Sequence, residues 1–234
     1  PVGDNGVIQD FLVQNPGYEW QHQARLKWGT RDTLELPFFD DFSTSSIYPD
    51  STKWLNNQVY VNNHFPVFPP TYNVATFDVL NEFGLSYNNT INKDRSASGD
   101  SLLSQPINLN DSAGVVYTVA DSIYLSFFIQ ANGYGYHLNS EDSIRLYFKA
   151  ENGLWFNVWS KPGTDLGAFE QVIVKVDQDF YLHKGFQFLF TTFTRQVGNA
   201  NHWHLDYVLL DKDRRFASAY YNDYAIQTFP TILI

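Results

Sequence analysis

Short segments that alternate apolar and polar residues make up most of the chain from Leu36 to Asp211. Clusters of Gly, Asn, Asp, Ser and Pro separate these segments. Alternation with period two predicts β-strands, and turn-forming clusters predict where the strands end. The strands are predicted at 36–42, 58–62, 74–79, 101–109, 121–131, 142–150, 154–160, 168–176, 185–194 and 201–211.

Three details refine this prediction. Residues 122–130 are apolar on both faces, which is typical of a central strand. The pair Asn152-Gly153 predicts a hairpin between 142–150 and 154–160, because both residues tolerate positive φ. The polar segment 88–99 is predicted to be a long exposed loop. Strands at this spacing, with no amphipathic helix between them, predict an all-β antiparallel sandwich of the jelly-roll type.

The last predicted strand carries His202, His204 and Asp206 on one face. The other face is predicted to point into the core and holds Trp203, Leu205, Tyr207 and Leu209. Two imidazoles and a carboxylate at alternate positions are candidate ligands for zinc or iron. The other interpretation is a hydrogen-bonded network between these side chains and neighbouring loops.

The pattern of strands also divides the chain. Residues 1–34 are polar with scattered aromatics and are predicted to be an extended leader. Residues 35–213 form the predicted sandwich, and 214–234 form a tail or a linker to a further domain. Methionine is absent even from position 1, so we expect the chain to be a processed piece of a longer protein.

Composition narrows the classes of partner. Aromatic residues make up 18% of the chain, which suits a pleated sheet surface. The formal net charge of −10 argues against nucleic acid and anionic membrane as partners, because both require a basic face. The absence of cysteine excludes disulfides, Cys-ligated zinc and a thiol nucleophile. No apolar run is long enough to cross a bilayer.

Aromatic residues are candidate sugar-binding groups, because they combine an apolar body with a polar handle. The loop 133–137 is predicted to be exposed and offers Tyr134, Tyr136 and His137 as ligand-binding residues. Trp155 and Trp159 share strand parity and are predicted to face the same side of a sheet. Packing of most of these rings in the core is the alternative interpretation.

Catalytic patterns are weak. The chain has no Gly-x-Ser-x-Gly elbow and no recognisable Ser–His–Asp frame. Carboxylate pairs such as Glu141 and Asp142 occur in any acidic chain and do not by themselves indicate glycosidase chemistry. We therefore predict that the protein is not an enzyme.

Several segments, taken in order, resemble those of MAM-like and cleaved-adhesin-like domains, which are concanavalin-like jelly rolls. The matching segments are Phe39-Asp40-Asp41-Phe42-Ser43 with Trp54, then 99–109, 124–128, 155–159, 169–172, 186–190 and 205–208. The resemblance covers about residues 36–212. The chain departs from vertebrate MAM domains in lacking their cysteines, and the family's acidic pair near the end is here Asp206-Tyr207.

The resemblance implies an extracellular setting. The segments look most similar to those of exported Bacteroidetes surface proteins, several of which are associated with type IX secretion or gliding motility. This places the chain outside the cell or on the outer-membrane surface of a Gram-negative bacterium. It also implies a structural Ca²⁺ held by Asp40, Asp41 and Asp206, since hard oxygen ligands suit calcium. The alternative is that these carboxylates accept backbone N–H groups in turns.

Six Asp-Ser or Asp-Thr pairs resemble the O-glycosylation signal of exported Bacteroidetes proteins. The candidate acceptors are Thr33, Ser51, Ser101, Ser112, Ser122 and Ser143. The same pairs are also ordinary turn chemistry just before a strand, and the two interpretations are compatible.

Together these observations predict a non-catalytic extracellular module that contacts another protein or a glycan, or serves as a rigid spacer. Two alternatives stay open at this point. One is a carbohydrate-binding module attached to a secreted hydrolase. The other is an accessory subunit of a type IX secretion or gliding complex.

Overall fold

The computed structural model describes residues 33–87, 96–135, 138–196 and 201–214. The predicted leader up to residue 32, the tail from 215 to 234, and two of the predicted ligand-binding residues, Tyr136 and His137, lie outside the described residues. Across the described ranges, no helix has the length and apolar character needed to cross a bilayer.

Strands dominate the described residues, with short 3₁₀ helices at Val119–Asp121 and Asp179–Tyr181. The strands are β1 (Phe38–Asp40), β2 (Tyr60–Asn62), β3 (Val74–Phe77), β4 (Ser96–Leu103), β5 (Ile107–Asn108), β6 (Asp111–Ser112), β7 (Val115–Val116), β8 (Tyr124–Ala131), β9 (Ser143–Lys149), β10 (Trp155–Pro162), β11 (Glu170–Lys175), β12 (Lys184–Phe186), β13 (Phe188–Arg195) and β14 (Trp203–Asp211).

Two sheets form the body of the fold. The six-stranded sheet has the order β11-β8-β14-β3-β2, and β1 also pairs with β14. The four-stranded sheet has the order β10-β9-β13-β4, and two two-stranded pairs, β12-β5 and β6-β7, lie beside them. The strands pair antiparallel throughout. This confirms the predicted antiparallel jelly-roll sandwich.

The core lies between the two sheets. In β9 the side chains of Ile144, Leu146 and Phe148 are buried while their neighbours are partly exposed, as period-two alternation requires. The ring of Phe127 on β8 lies 4.9 Å from that of Phe190 on β13, so the two sheets contact each other directly. Stacked sheets of this kind have one buried and one outward face each.

The predicted core face of the last strand is wrong beyond Asp206. Trp203 and Leu205 are buried in the core as expected, but the core positions that follow are Val208 and Leu210, while Leu209 is only partly buried. A β-bulge interrupts the pairing of β14 with β8 after Asp206, and Tyr207 has a φ of 51°. A bulge inserts one residue and so moves every later side chain to the opposite face.

The prediction of an exposed loop over 88–99 is also wrong at its end. Residues 88–95 lie outside the described residues, but Ser96–Gly99 form the first half of β4 and pair with β13. The strand is polar, so its own sequence carries no apolar alternation. The predicted strand 101–109 is correspondingly split into β4 and the short β5.

The predicted hairpin at Asn152-Gly153 is confirmed. Strands β9 and β10 pair antiparallel around it, and Gly153 has a φ of 84°. The register shifts between Asn157 and Trp159, so β10 carries its own bulge.

Candidate functional site

Asp40 ends β1 and is held by donors from the segment that follows it. Its Oδ2 accepts a 2.6 Å hydrogen bond from the indole nitrogen of Trp54, and its Oδ1 lies 3.0 Å from the ammonium of Lys53. The backbone N–H of Phe42 also donates to Oδ1. Both carboxylate oxygens of Asp40 are therefore engaged by protein groups, one of which is a cation.

Asp206 lies under a different segment and has its own donors. Its Oδ2 accepts from the backbone N–H of Thr71 at 2.9 Å, and its Oδ1 lies 2.9 Å from the Thr71 hydroxyl. The same hydroxyl lies 2.9 Å from the carbonyl oxygen of Asp41. Burial raises the pKa of Asp206 to about 7, although the hydrogen bonds from Thr71 lower it.

These arrangements do not assemble the three carboxylates around one ion. Asp40 is paired with Lys53, whereas the backbone carbonyl of Asp41 and the carboxylate of Asp206 meet at Thr71. The Asp41 carboxylate itself accepts from the N–H of Ser43. Among the residues that the structure describes, no group of three His, Asp or Glu side chains is placed to hold a metal. Calcium binding stays a prediction, and an ion at Asp41 and Asp206 would have to replace the bonds from Thr71.

The two histidines belong to a buried network. The Thr71-containing segment 63–73, termed here the covering loop, lies over the outer side of the six-stranded sheet. His204 is fully buried there, and its Nδ1 lies 2.9 Å from the hydroxyl of Thr76. That hydroxyl also accepts from the amide of Asn62 at 2.7 Å, so Asn62, Thr76 and His204 form one chain of polar contacts.

Burial keeps both rings uncharged. It lowers the pKa of His202 to about 4, and burial together with the nearby His202 lowers the pKa of His204 to about 3. The ring of His202 packs edge-on against that of Phe65 in the covering loop, with 4.8 Å between centroids. These contacts favour the interpretation of a structural network for the row His202, His204 and Asp206.

Strand side chains also bind the backbone of the covering loop. Gln130 accepts from the N–H of Val67 at 2.8 Å and donates to its carbonyl at 2.9 Å. Asn62 accepts from the N–H groups of His64 and Phe65. Several polar side chains on the outer side of this sheet are thus hydrogen-bonded to the covering loop.

The loop at Gly133 is pressed against the same network. A Cβ on Gly133 would overlap the carbonyl of Phe65 and Nε2 of His204, and its φ is 57°. Tyr134, which the sequence offers as a ligand-binding residue, is 73% exposed and bonds only through its backbone N–H to Phe65 among the contacts described for it. Its predicted partners, Tyr136 and His137, lie outside the described residues.

The carboxylate pair Asp78 and Asp100 is a further buried cluster. Oδ2 of Asp100 accepts from the N–H groups of Asp78 and Val79 at 2.6 and 2.8 Å. Burial raises the pKa of Asp78 to about 6 and that of Asp100 well above its ordinary value. Asp100 has no exposed surface, so the pair braces a turn and does not line a cleft.

The outer side of the four-stranded sheet differs because its side chains are partly exposed. Burial alternates strictly along β9 and β13, which assigns each side chain to the core or to the outside. We term the outward set the open face, and cross-strand pairing gives its members as Trp155, Asn157, Ser160 and Pro162 on β10, Ser143, Arg145, Tyr147 and Lys149 on β9, Leu189, Thr191, Phe193 and Arg195 on β13, and Ser96, Ser98, Ser101 and Leu103 on β4.

The prediction that Trp155 and Trp159 share a side is wrong, because the bulge in β10 separates them. Trp159 pairs with the core residue Leu146 and packs against Phe127 at 5.2 Å. Trp155 pairs with Lys149 on the open face and is 37% exposed. Alternation along the strand therefore could not show that the two tryptophans lie on opposite sides of the sheet, because the bulge changes the alternation between them.

Aromatic, cationic and amide groups lie next to each other on the open face. Lys149 lies over the ring of Trp155, 5.9 Å from its centroid, and Tyr147 is the next outward residue along β9. The guanidinium of Arg145 lies 4.7 Å from the centroid of Phe193. At the β4 edge, Ser101 is within hydrogen-bonding distance of the amides of Asn56 and Gln58, which extend the face.

The candidate glycosylation residues differ in accessibility. Ser51 is exposed in a turn, whereas Thr33, Ser101, Ser112, Ser122 and Ser143 are partly buried. Ser101 is bonded to Asn56 and Gln58, and Ser143 accepts from Nε of Arg145 at 3.2 Å. Ser51 is therefore the most accessible hydroxyl of the set.

Comparisons with known proteins place the chain only by its shape. No family model and no curated protein sequence matches it. Solved structures with a similar fold include a cleaved adhesin domain of Lys-gingipain from Porphyromonas gingivalis, at 12% identity and a TM-score of 0.42, covering 76% of this chain and 99% of that one. A xylan-binding module is similar at 9% identity and a TM-score of 0.39, covering 76% and 97%. A Caldicellulosiruptor saccharolyticus carbohydrate-binding module in complex with mannohexaose is similar at 11% identity and a TM-score of 0.40, covering 74% and 89%.

Proposed function

We propose that this chain is a non-catalytic extracellular module that binds a glycan on its open face. The observation that carries the proposal is the pair of partly exposed rings, Trp155 and Tyr147, on neighbouring paired strands. Asn157 is the cross-strand partner of Tyr147, and Ser160 and Ser101 add hydroxyls elsewhere on the open face. Sugar rings need flat apolar surfaces for their C–H faces and polar groups for their hydroxyls, and the open face offers both.

The rigidity of this face supports binding. Four paired strands hold the side chains in place, so little conformational entropy is lost when a ligand binds. On the other sheet, the covering loop is hydrogen-bonded to the side chains of Gln130 and Asp206. Glycosidase chemistry needs two carboxylates across the sugar, and the sixteen-residue set defined as the open face contains neither Asp nor Glu.

The test compares two substitutions that remove aromatic rings from the open face with one that removes an exposed aromatic ring elsewhere. Trp155→Ala and Tyr147→Ala remove open-face rings, while Tyr134→Ala removes an exposed ring elsewhere. Purified proteins are applied to a glycan array and to affinity gels containing single polysaccharides. We expect Trp155→Ala and Tyr147→Ala to lose binding about tenfold or more, in line with removal of a stacking ring. Binding lost in Tyr134→Ala alone would move the site to the loop at Gly133.

The cellular setting is part of the proposal. We infer that the module belongs to an exported surface protein of a Gram-negative bacterium of the Bacteroidetes type. We further infer that this protein is exported by type IX secretion or takes part in gliding motility. The order of the segments between Phe39 and Val208 supports this. Surface labelling of the full-length protein in its native host tests it. A catalytic domain in the same gene product would favour the carbohydrate-binding module of a hydrolase, and co-purification with secretion components would favour an accessory subunit.

Glycan attachment at the Asp-Ser and Asp-Thr pairs is a separate part of this setting. Ser51 is the acceptor best supported, because its side chain is exposed in a turn. The mass of the protein isolated from its native host should exceed the mass of its sequence, and Ser51→Ala should reduce the difference. A native mass equal to that of the unmodified sequence would remove glycosylation from the proposal.

Protein contact is the second candidate function, and a specific patch favours it. Leu154, Phe156 and Phe180 are 59, 40 and 43% exposed at the β9–β10 hairpin end, and the last two rings lie 5.4 Å apart. Clustered exposed apolar side chains often mark interaction sites. A surface partner retained by the wild type and by Trp155→Ala, but lost from Phe180→Ser, would support this function in place of glycan binding.

A further inference from the structure

We infer that the open face selects an anionic polysaccharide, one that carries carboxylate or sulfate groups, and that Arg145 contacts the anionic group. This inference rests on the proposed glycan-binding function and adds the class of ligand. The observation behind it is that the charged residues of the open face are all cationic, although the chain as a whole is acidic.

The chain as a whole is acidic, with a formal net charge of −10. The open face has the opposite character, because its charged members are Arg145, Lys149 and Arg195 and none is acidic. A cationic surface on an acidic protein attracts an anionic ligand and orients it as it approaches.

Two cations of the open face, Arg145 and Lys149, have no acidic partner among the described residues. Salt bridges to an Asp or Glu engage Lys53, Lys161 and Lys184. Within the described ranges, Arg145 and Lys149 form no salt bridge, and Lys149 donates to the neutral amide of Gln187 at 2.9 Å. Their charge is therefore not neutralised by the protein and is available to a ligand.

Arg145 is held in place in a way that leaves its terminal nitrogens free. Its Nε donates to Ser143 at 3.2 Å, and its guanidinium lies against the ring of Phe193. Within the described residues these are its polar and cation–π contacts, so neither terminal amino group is bonded to a protein acceptor there. A guanidinium with two free N–H groups matches the paired oxygens of a carboxylate or sulfate.

The spacing of the cations indicates a polymer. Arg145, Tyr147 and Lys149 are alternate residues of one strand, so the two charges are separated by roughly 13 Å along β9, with the tyrosine ring between them. A single small anion does not span that distance. A chain with repeated acidic groups can place one at each cation and a sugar ring on Tyr147.

Nucleic acid is the competing anionic polymer. Its phosphates follow each other closely, and proteins that bind it present a denser basic surface than these few cations. The observations therefore favour an acidic polysaccharide.

The experiment uses affinity electrophoresis and titration calorimetry of the whole chain. The acidic probes are polygalacturonate, alginate and chondroitin sulfate, the neutral probes are xylan and glucomannan, and single-stranded DNA is included. The variants are Arg145→Gln, which removes the charge but keeps hydrogen-bonding atoms, and Arg145→Lys, which keeps the charge. Lys175→Gln is the matched control, because it removes one exposed cation from β11 in the other sheet.

We expect the wild type to bind at least one acidic polysaccharide more tightly than the neutral ones, with an affinity that falls as salt is added. Arg145→Gln should weaken that binding about tenfold or more, since charge-assisted hydrogen bonds are lost. Lys175→Gln should bind as the wild type, and Arg145→Lys should retain part of the affinity.

Three results overturn the inference. The first is tight binding to neutral polysaccharide that Trp155→Ala abolishes and Arg145→Gln does not, which leaves the proposed function standing. The second is absence of binding to every acidic polysaccharide. The third is binding to single-stranded DNA that Arg145→Gln abolishes. Acidic-polysaccharide binding that is unchanged in both Trp155→Ala and Tyr147→Ala would instead overturn the proposed stacking site.

Discussion

The hydroxyl of Thr76 lies 2.9 Å from Nδ1 of His204, at the centre of the outer side of the six-stranded sheet. This contact joins two neighbouring strands, since Thr76 is the direct partner of His204 in the β3–β14 pairing. The hydroxyl also accepts from Asn62, and burial of the ring lowers the pKa of His204 and keeps it neutral. The row of polar residues on the last strand therefore holds the covering loop.

The neutral state of His204 predicts a pH dependence of stability. Its folded pKa of about 3 is below the unfolded value of 6.5, so the unfolded state takes up protons first as the pH falls. The stability is fully present above the unfolded pKa and is lost as the pH falls toward the folded one. For one such histidine the loss is about 2 kcal/mol between about pH 7 and about pH 5.

The substitution His204→Asn isolates this contribution. The asparagine amide would keep a polar atom near Thr76 but cannot titrate, so the other ionisable groups contribute equally to both proteins. Urea unfolding at the two pH values should show a smaller loss of stability in His204→Asn than in the wild type, by about 2 kcal/mol. Equal losses in the two proteins would mean that His204 is not held neutral.

The close packing around Gly133 predicts that adding one methyl group, in Gly133→Ala, strongly lowers the stability of the protein. Gly133→Ala would place Cβ against Phe65 and His204 in addition to straining a φ of 57°. Gly153→Ala is a matched control, because Gly153 has a φ of 84° with no atom within 4 Å of a Cβ. We expect about 1 kcal/mol of destabilisation in Gly153→Ala and about 3 kcal/mol or more in Gly133→Ala. Similar melting temperatures would contradict the close packing of this loop.

The hydrogen bond between Asp40 and Trp54 should contribute more to the free energy of unfolding than the ion pair between Asp40 and Lys53. Asp40→Asn weakens a buried 2.6 Å bond to the indole and should cost about 2 kcal/mol of unfolding free energy. Lys53→Gln removes a partly exposed ion pair and should cost less than about 1 kcal/mol. Chemical denaturation of the two variants measures both costs. A larger cost for Lys53→Gln would make the ion pair the main role of Asp40.

Calcium binding at Asp41 and Asp206 makes its own prediction. If an ion binds there, added Ca²⁺ raises the melting temperature as the free ion exceeds its dissociation constant, and a chelator reverses the change. Asp206→Asn should abolish the rise, while Asp50→Asn, at a turn carboxylate that accepts from the N–H of Thr52, should not. A melting temperature independent of Ca²⁺ would leave Thr71 as the partner that joins the two aspartates.

Strand positions follow from the sequence where one side of a strand is buried. Ile144, Leu146 and Phe148 alternate with polar neighbours, and the hairpin after them is determined by Asn152-Gly153. Ser96–Gly99 could not be found in this way, because the strand is defined by its partner β13 and by the close approach of Gly99 to Thr192. Cross-strand partners are not visible in a single sequence.

The site was harder to predict, because β-bulges decide which way its residues point. Alternation along each strand predicts that Trp155 and Trp159 share one face and that Leu205 and Tyr207 share another. A bulge between the members of each pair places them on opposite faces. The positive φ of Tyr207 has no signature in a tyrosine side chain. Arg145 and Phe193 are also far apart in sequence, and only the pairing of β9 with β13 brings them together.

The most direct test of the central claim is the affinity of Trp155→Ala for a polysaccharide that the wild type binds, measured beside Tyr134→Ala. The account predicts a loss of about tenfold or more in Trp155→Ala and unchanged affinity in Tyr134→Ala, with both variants folded as shown by cooperative unfolding. Unchanged affinity in Trp155→Ala and Tyr147→Ala would show that the open face is not the glycan-binding surface.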